Sequence, residues 1–408
     1  MGSPSALRKL NDRAALYALL ESGPLTRLDL EQAISVSRPA AAELLRRLEE
    51  SGLARRAGYR PGGPGPQAQL WSIAEGAAYA AGLDVNDTGI DAVIADLGGA
   101  PVGTGKSRLA PGDDPAAAVR DLLETVAADA GLTRADVRQV VVGISGSVDP
   151  ATGRLSHAEH IPEWNGFDVR ERLTQVLEVP VAVENDVKLV LSDESIRGRA
   201  VGCRDVLLLW IGQGVAIAII ADGRLLRGSH GSAGEMGVVP VSADGPFAGD
   251  LLATVGIAAL AREHGLPDAD PAGLVARAAS PDADPPHDGF LSALADLVVD
   301  VLASPVALVD PDLVILAGDH GLAGGDELAA RVRTRLHQRL VHRPRIVAGT
   351  GYDNSVRQGA LDESLRRLRE KVFADARHHR PADPIHRSTE STSRAADLLG
   401  TGSGKGHQ

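Results

Sequence analysis

Residues 34–60 constrain the fold of this chain more than any other segment, because they place a capped helix, a short turn and an arginine-bearing ribbon in direct succession. Ser37 can cap a helix whose first turn contains Pro39, where the missing backbone N–H costs nothing. Apolar residues recur at helical spacing along it and form one inward stripe: Ala41, Leu44, Leu45 and Leu48. Residues 61–66 hold only glycine and proline, which cannot continue a helix.

Two further helices are predicted before this segment. Thr26 can cap a second helix over residues 27–34, with Asp29 completing a capping box. A first helix is indicated by apolar residues on one face: Leu16, Tyr17, Leu19 and Leu20. The order of helices, turn and ribbon is typical of a winged helix-turn-helix, so we predict that residues 1–75 form such a module with its wing and linker.

The outer face of the third helix predicts contact with DNA. Small side chains there permit close approach to a major groove, and cations can reach bases or phosphates. The candidate residues on this helix are Ser37, Arg38, Ala40, Glu43, Arg46 and Arg47, and those on the ribbon are Arg55, Arg56 and Arg60. The ribbon leads to a wing tip with minor-groove reach. The alternative is a packing module whose arginines are merely solvated.

Charge is divided unevenly along the chain. Residues 1–70 carry 10 Lys and Arg against 7 Asp and Glu, a net charge of +3, whereas the other residues carry −15 and the whole chain −12. A polyanion would therefore be attracted to the N-terminal end and repelled elsewhere. This distribution favours double-stranded DNA as a partner that docks through the N-terminus.

Composition limits the remaining classes. At 408 residues and 44% hydrophobic content, the chain is expected to form two or three domains. Aromatic residues make up 3%, which argues against stacking on single-stranded nucleic acid. Cys203 is the single cysteine, so an intrachain disulfide and a cysteine-based zinc cluster are excluded. Short apolar stretches and an N-terminus without a secretory hydrophobic segment predict a cytoplasmic protein without membrane contact.

From Gln69 onward the pattern changes to alternating strands and helices. A hairpin is predicted from residues 80–94, a helix capped by Asp113 or Asp114 follows, and the strand at 140–142 runs into glycine-rich residues 143–150. Later predictions are strands at 206–211 and 215–220, an exposed loop at 281–287, and a final helix from Asn354 or Ser355 through Leu368.

Three segments, 143–150, 160–166 and 180–186, resemble in order and spacing the ROK family of bacterial repressors and sugar kinases. Residues 225–237 and 310–318 resemble two later motifs of that family. The likeness covers roughly residues 6–372. It implies an α/β fold in which the N-terminal winged helix-turn-helix is followed by an actin-like, two-lobed domain with its ligand in the cleft. The implied division is a first lobe at 76–200 and a second lobe at 201–372 whose final helix returns to the first. The polar composition of residues 373–408 separately predicts a disordered tail.

The resemblance also implies a set of effector contacts. In the kinases of the family, the carboxylate at the position of Asp186 is the general base toward a sugar hydroxyl, and the neighbour at Asn185 holds the sugar. The implied effector contacts are Asn165, Gly166, Asn185, Asp186 and Glu235. From the residues alone, Asn185 and Asp186 could equally be a helix cap, residues 164–166 a packed turn, and Glu235 the partner of a surface cation.

The nucleotide loops depart from the family's kinase pattern. The first usually reads Asp-x-Gly-Gly-Thr, but here residues 84–88 read Asp-Val-Asn-Asp-Thr and place side chains and a negative charge where phosphate oxygens would lie. The second loop keeps only Gly212 and Gly214, and Asp319 follows Gly318 where another glycine is usual. These departures predict a protein that is not an enzyme and uses no cofactor.

The sugar and metal positions differ as well. Val238 stands where the family commonly has a histidine, and Leu252 stands where it has a further sugar-binding glutamate. No cysteine is present in that region, and His157, His160 and His230 lack metal-ligand spacing, so no metal is predicted.

We interpret the chain as a homo-oligomeric transcriptional regulator, a repressor in which the two-lobed body senses a small molecule, with a dimer and a tetramer both open. The family precedent implies a sugar or a sugar derivative as effector. One alternative is an ATP-dependent sugar kinase with an N-terminal extension. A further alternative is an effector-independent DNA-binding protein with a vestigial cleft.

Overall fold

The computed structural model describes residues 4–61, 67–110, 112–156, 158, 161, 164, 168–351 and 354–374. The chain is an α/β protein, with a helical N-terminal module followed by two lobes that are each built on a twisted sheet. The predicted wing tip at 62–66, the candidates Asn165 and Gly166, the histidines His157 and His160, and the tail beyond residue 374 lie outside the described residues.

The N-terminal module has the predicted winged helix-turn-helix arrangement. Its elements are helices α1 (Pro4–Ser22), α2 (Arg27–Ala33) and α3 (Arg38–Glu50) and strands β1 (Leu25–Thr26), β2 (Ala54–Tyr59) and β3 (Gln69–Ile73), with the sheet in the order β1-β3-β2. Thr26 and Asp29 form the predicted capping box at the start of α2. Ser37 occupies the N-cap of α3, but its side chain makes no capping hydrogen bond. The leucine stripe of α3 is buried against α1, α2 and β3 as its spacing predicts.

The first lobe begins with a hairpin. Its elements are β4 (Tyr79–Asn86), β5 (Gly89–Asp96), β6 (Pro101–Ser107), α4 (Pro115–Asp129), β7 (Val137–Ile144), β8 (Ser147–Val148), β9 (Leu155–Ser156), α5 (Val169–Leu177), β10 (Val181–Asn185) and α6 (Asp186–Arg197). The main sheet runs β10-β7-β4-β5-β6, with β7 parallel to β4 and β10. The carboxyl ends of these parallel strands therefore meet at one edge, where α/β sheets place ligand-binding loops.

The second lobe repeats this plan. Its elements are β11 (Val206–Ile211), β12 (Val215–Ala221), β13 (Arg224–Leu225), α7 (Ala248–Leu252), α8 (Thr254–Glu263), α9 (Pro271–Ala278), α10 (Pro285–Val309), β14 (Leu313–Ala317), α11 (Gly318–Arg339) and β15 (Arg345–Ala348). The sheet runs β13-β12-β11-β14-β15, and β11, β14 and β15 are parallel. The core on one face of this sheet consists of Phe290 and aliphatic side chains from the strands and from α7–α11.

The last helix, α12 (Ser355–Ala374), returns to the first lobe and packs on β4, β7 and α6. Gly82 permits this approach, because an added Cβ there would lie 2.3 Å from the backbone nitrogen of Leu361. The far end of α12 contacts α1, where Tyr17 and Phe373 meet edge to face with ring centroids 5.0 Å apart. One helix thus touches both the first lobe and the N-terminal module.

Three local predictions are wrong. The loop predicted at 281–287 ends at Asp284, because α10 begins with prolines that suit a first helical turn. The final helix runs to Ala374 rather than Leu368, because contacts with α1 bury Val372 and Phe373. Not every apolar stretch is short: by length and composition α10 could cross a membrane, although its buried residues form part of the core of the second lobe.

Candidate functional site

The outer face of α3 is exposed, as the sequence predicts. Ser37, Arg38, Ala40, Glu43 and Arg46 are all exposed on it. Arg38 forms no ion pair within the described part of the chain. A helix of this kind has the diameter to enter a major groove, with its N-terminal residues toward the base edges.

Arg46 is held by two carboxylates of its own helix. Its guanidinium donates to Glu43 at 2.7 Å and pairs with Glu50. The hydrogen bond from Arg46 lowers the pKa of Glu43, and the two carboxylates raise the pKa of Arg46. All three side chains are more than half exposed, so this cluster can exchange its partners for phosphates or base edges.

Arg47 occupies a different environment. Its side chain is 20% exposed, and Nη2 donates to the buried carboxylate of Asp12 at 2.5 Å. Its Nε is buried and has no acceptor among the described residues. This arginine ties α3 to α1, a contact between residues 35 positions apart that helical spacing could not reveal.

The arginines of the ribbon and the residue after it are exposed and paired. Arg55 contacts Glu75 at 2.9 Å, and Arg56 contacts Glu49 at 2.9 Å while its guanidinium lies 5.5 Å from the ring centre of Trp71. Arg60, just beyond β2, donates to Asp29 of α2 at 2.5 Å.

The Arg60–Asp29 contact connects the wing to the helix-turn-helix. Burial alone would raise the pKa of Asp29, but hydrogen bonds from Arg60 and Thr26 outweigh burial and lower it. The ribbon is thereby fixed relative to α2, which in turn packs against α3.

In the body, Asn185 and Asp186 lie where β10 ends and α6 begins. The side chain of Asn185 caps α6 by accepting from the backbone N–H of Lys188 at 3.1 Å, and its Nδ2 donates to the carbonyl of Gly146 at 3.1 Å. The capping role left open by the sequence is therefore real. It also fixes the carboxylate of Asp186 at the first position of the helix.

The carboxyl group of Asp186 is strongly perturbed. Burial, followed by the negative charges of Asp84 and Glu235, raises its pKa to about 7, although the backbone N–H of Val187 donates to it at 2.7 Å. Burial also raises the pKa of Asp84 to about 6, with Asp91 contributing in the same direction. A carboxyl group with a pKa near neutrality can accept or donate a proton at physiological pH.

Glu235 comes from the glycine-rich segment of the second lobe and reaches the first lobe. Its Oε1 accepts from Ser147 Oγ at 2.9 Å. Glu235 and Asp186 are near enough for the charge of one to raise the pKa of the other, so the structure brings these two candidates together.

The sequence reading missed two contacts between the lobes. Lys188 is 2% exposed, and its Nζ donates to the carbonyl of Gly231 at 2.5 Å. Arg227 pairs with Glu184 at 2.5 Å. Burial lowers the pKa of Lys188. A single lysine inside the apolar run of α6 was the signal available in the sequence.

The two altered nucleotide loops contact each other. Gln213 Nε2 of the second lobe donates to Asp87 Oδ2 of the first at 2.8 Å. Asn86 Oδ1 accepts from the backbone N–H of Thr88 at 2.9 Å, and Asn86 Nδ2 donates to Asp84 at 2.9 Å. The side chains of Asn86 and Asp87 are thus engaged with protein groups.

The two other positions that depart from the family pattern lie in different environments. Leu252 is fully buried in the core of the second lobe, whereas Val238 is 69% exposed. Within the described residues no group of three His, Cys, Asp or Glu side chains is arranged to hold a metal ion. The cysteine, Cys203, lies near Arg345, whose Nη2 is 3.1 Å from its sulfur.

The sequence and the fold were compared with those of known proteins, and both comparisons find members of one family. The ROK family model matches residues 80–362. The fold is similar to that of a ROK family transcriptional regulator described as a homologue of E. coli MLC, with a TM-score of 0.71, 17% identity, and coverage of 91% of this chain and 98% of that one. A ROK family glucokinase from Streptomyces griseus, in complex with glucose and AMPPNP, gives a TM-score of 0.58 and 23% identity over 71% of this chain and all of that one.

Curated relatives include both branches. The xylose repressor of Caldicellulosiruptor bescii is 22% identical over 240 residues, 58% of this chain and 60% of that protein. The glucokinase of Halalkalibacterium halodurans is 32% identical over 113 residues, 28% of this chain and 34% of that protein. The chain spans less than two thirds of the length of each of these relatives. Since the family model covers more than half of the sequence, the chain belongs to the ROK family.

Proposed function

We propose that this protein is a DNA-binding transcriptional regulator, a repressor whose ROK body senses a small molecule and does not transfer phosphate. The observation that carries the proposal is the exposed outer face of α3, with Arg38 and Arg46, beside the ribbon of β2 and β3. These groups belong to residues 1–70, which carry a net charge of +3, whereas the rest of the chain carries −15. That balance suits a duplex with a charged backbone.

Within this proposal the predicted contacts have distinct roles. Arg38 and Arg46 read bases or phosphates from the major groove, with Ser37, Ala40 and Glu43 on the same face. The ribbon arginines, Arg55 and Arg56, and Arg60 after them bind backbone phosphates. Arg47 is a positioning residue, because its guanidinium is directed to Asp12 of α1.

The proposal of a repressor is supported by what two of the related proteins are described as. One curated relative is a xylose repressor, and one protein of similar fold is a transcriptional regulator. Glucokinases are found in the same comparisons, so the distinction between regulator and kinase depends on the cleft.

The nucleotide loops support a regulator without kinase activity. Backbone approach to phosphates favours glycine, and a carboxylate near phosphate oxygens is electrostatically unfavourable. Asp87 carries such a carboxylate, and its bond with Gln213 joins the two loops that a nucleotide would have to separate. Asp319 adds another side chain after Gly318.

The proposed effector is a sugar or a sugar derivative held by Asn185, Asp186 and Glu235, with Asn165 and Gly166 as further candidates. Asn185 and Asp186 are fixed by the start of α6, and Glu235 approaches them from the second lobe. The contrasting proposal is a vestigial cleft and a protein that binds DNA without an effector. A sugar that raises the Tm and changes operator affinity would exclude that alternative.

We also propose a homodimer or homotetramer that works in the cytoplasm. Two linked modules bind a two-part operator with a high effective concentration, and a movement in the body that misaligns them weakens binding. The division into residues 1–75, 76–200 and 201–372 is part of this proposal. It assigns DNA contact to the first unit and sensing to the other two.

A sugar kinase is the second candidate, and one observation favours it. Asp186 keeps the general-base position, and its pKa of about 7 suits proton transfer. A coupled assay of ADP release across a sugar panel tests this function. If the wild-type protein releases ADP in a sugar-dependent way and Asp186→Asn abolishes this release, the protein is a kinase. That result would refute the proposal that it is a regulator without kinase activity.

The proposed function is tested by selecting bound fragments from the organism's own chromosome with the full-length protein and footprinting the strongest. Arg38→Ala should weaken binding to the selected fragment by about tenfold, because one base or phosphate contact is lost. Arg120→Ala is the matched control, since Arg120 is a half-exposed arginine on α4 outside the N-terminal module. Equal binding by wild type and Arg38→Ala would refute the assignment of α3.

A further inference from the structure

A polar cavity of about 460 Å³ lies beside the first hairpin of the body. It is lined by side chains that include Asn86, Thr88, Lys106, Ser107, Arg108 and Asn354. None of the effector candidates Asn185, Asp186 and Glu235 is among its lining residues. The volume is in the range of small-molecule sites, so the cavity can hold a metabolite rather than only a few waters.

The charges around this cavity are mainly positive, in a body that is acidic as a whole. Lys106 and Arg108 line it, and Arg357 lies behind Asp91 and donates to that carboxylate at 2.7 Å. Lys106 also pairs with Asp91, at 2.9 Å. The carboxylate of Asp91 is therefore paired with two cations, Lys106 and Arg357.

Two other acids near the cavity, among the residues that the structure describes, are directed elsewhere. Asp87, the turn residue next to the cavity, accepts from Gln213 across the lobes and is not a lining residue. Asp84 lines an adjoining cavity of about 310 Å³, which shares Lys106 and Asn354 with the first. The positive excess at Lys106 and Arg108 is thus left facing the larger cavity.

The start of α12 adds to the attraction for an anion. Asn354 lines the cavity, and its Oδ1 caps α12 by accepting from the backbone N–H of Arg357 at 2.8 Å. The positive end of this 20-residue helix is therefore directed toward the same space. Cations, hydroxyl groups and a helix N-terminus together favour a ligand with phosphate or carboxylate oxygens.

We propose that this cavity is an effector site for a small organic anion, one that carries a phosphate or carboxylate group bound by Lys106, Arg108 and the start of α12. The inference rests on the proposed function, because an effector site is meaningful only if the protein binds DNA and the ligand changes that binding. It names an anionic ligand and a site separate from Asn185, Asp186 and Glu235.

The same helix provides a route from the cavity to the DNA-binding module. Asn354 Nδ2 donates to Asp91 at 2.8 Å, so an anion that competes for the cations of Asp91 also acts on the beginning of α12. At the other end, Phe373 packs against Tyr17 of α1. A movement of α12 relative to the first lobe would therefore also move α1, and with it the N-terminal module that contains α3.

The test uses the full-length protein, without DNA in its first part. Calorimetric titration measures binding of glucose 6-phosphate, inorganic phosphate and citrate, with glucose as the neutral comparison and ATP as the nucleotide comparison. We expect at least one of the three anions to bind about tenfold tighter than glucose, the effect of one charge-assisted hydrogen bond. Binding of glucose 6-phosphate alone would indicate that the ligand is a sugar phosphate. Binding of citrate alone would indicate that the ligand is a carboxylate.

Two variants locate the site. Arg108→Ala removes an exposed side chain and should weaken binding of that anion about tenfold, whereas Arg120→Ala on α4 should leave it unchanged. Binding of none of the three anions, binding of ATP alone, or equal affinity in Arg108→Ala would overturn the proposal.

The second part adds the selected chromosomal fragment. The anion should change the affinity of wild type for this DNA, and should have about ten times less effect at equal concentration on Arg108→Ala. An anion that binds without changing DNA affinity would overturn the effector role. Failure of the unliganded protein to bind any fragment would instead refute the proposed function, and the calorimetric result would show separately whether the anion site exists.

Discussion

Gln213 donates a hydrogen bond of 2.8 Å to Asp87, and this contact joins the second lobe to the first at the two loops that carry nucleotide phosphates in the kinases this chain resembles. The contact is exposed, so its own contribution to stability is small. The contact matters because of its location between the two lobes. A carboxylate of the first lobe and an amide of the second meet between these two segments.

Replacing Asp87 by Asn should increase the affinity for ATP. The substitution removes a negative charge beside the phosphate position, and at an effective dielectric between that of water and a protein surface this is worth at least about 1 kcal/mol, or about fivefold in affinity. Titration with a non-hydrolysable ATP analogue measures the change. Asp121→Asn, on the exposed face of α4, is the control. Equal affinity in wild type and Asp87→Asn would show that this charge does not limit nucleotide binding.

Asp186→Asn should stabilise the protein at neutral and alkaline pH. The pKa of Asp186 is raised from 3.8 to about 7, so ionisation costs stability as pH rises from about 4 to 7, and this cost is complete above pH 7. The variant removes the cost, on the order of 4 kcal/mol, and its Tm should exceed that of wild type at pH 8 but not at pH 4. A Tm difference independent of pH would contradict the assigned ionisation.

Arg47→Ala should reduce stability, unlike a change at an exposed arginine. It leaves the carboxylate of Asp12, whose side chain is 3% exposed, without its partner. Removing one member of a largely buried pair costs about 2 kcal/mol or more. Denaturant unfolding measures the loss, and Arg38→Ala is the matched control because Arg38 is exposed on the same helix. Equal free energies of unfolding for the two variants would show that the Arg47–Asp12 ion pair does not stabilise the protein in solution.

Phe373→Ala should loosen the N-terminal module. Phe373 is 1% exposed and packs on Tyr17, so its truncation creates a cavity between α12 and α1 that costs about 3 kcal/mol. Hydrogen exchange should show faster exchange in α1 and the end of α12 than in wild type. Leu308→Ala, at an 86% exposed position, is the control. Unchanged exchange in α1 would show that α12 does not support the module.

Much of the N-terminal module could be predicted because its signals are local. Thr26 and Asp29 mark the start of α2, Pro39 marks the first turn of α3, and the leucine spacing identifies the buried face. The first hairpin was visible for the same reason, since apolar strands flank a short polar turn at residues 86–89.

Contacts between distant residues could not be predicted in this way. The extension of α12 beyond Leu368 depends on the packing of Phe373 against α1, more than 350 positions earlier in the sequence. The pairing of Arg47 with Asp12 and the bond between Gln213 and Asp87 also join separate elements. At the proposed effector site, the family likeness suggested Asn185, Asp186 and Glu235, but nothing in it indicated the burial of Lys188 between the lobes.

The most direct test of the account is a titration of the selected chromosomal duplex with wild-type protein and Arg38→Ala, together with measurement of ADP release in the presence of ATP and a sugar panel. The account predicts specific binding by wild type with a Kd of about 10⁻⁸ M or tighter, about tenfold weaker binding by Arg38→Ala, and no sugar-dependent ADP release. Binding to every chromosomal duplex at only non-specific strength, combined with sugar-dependent ADP release, would contradict it.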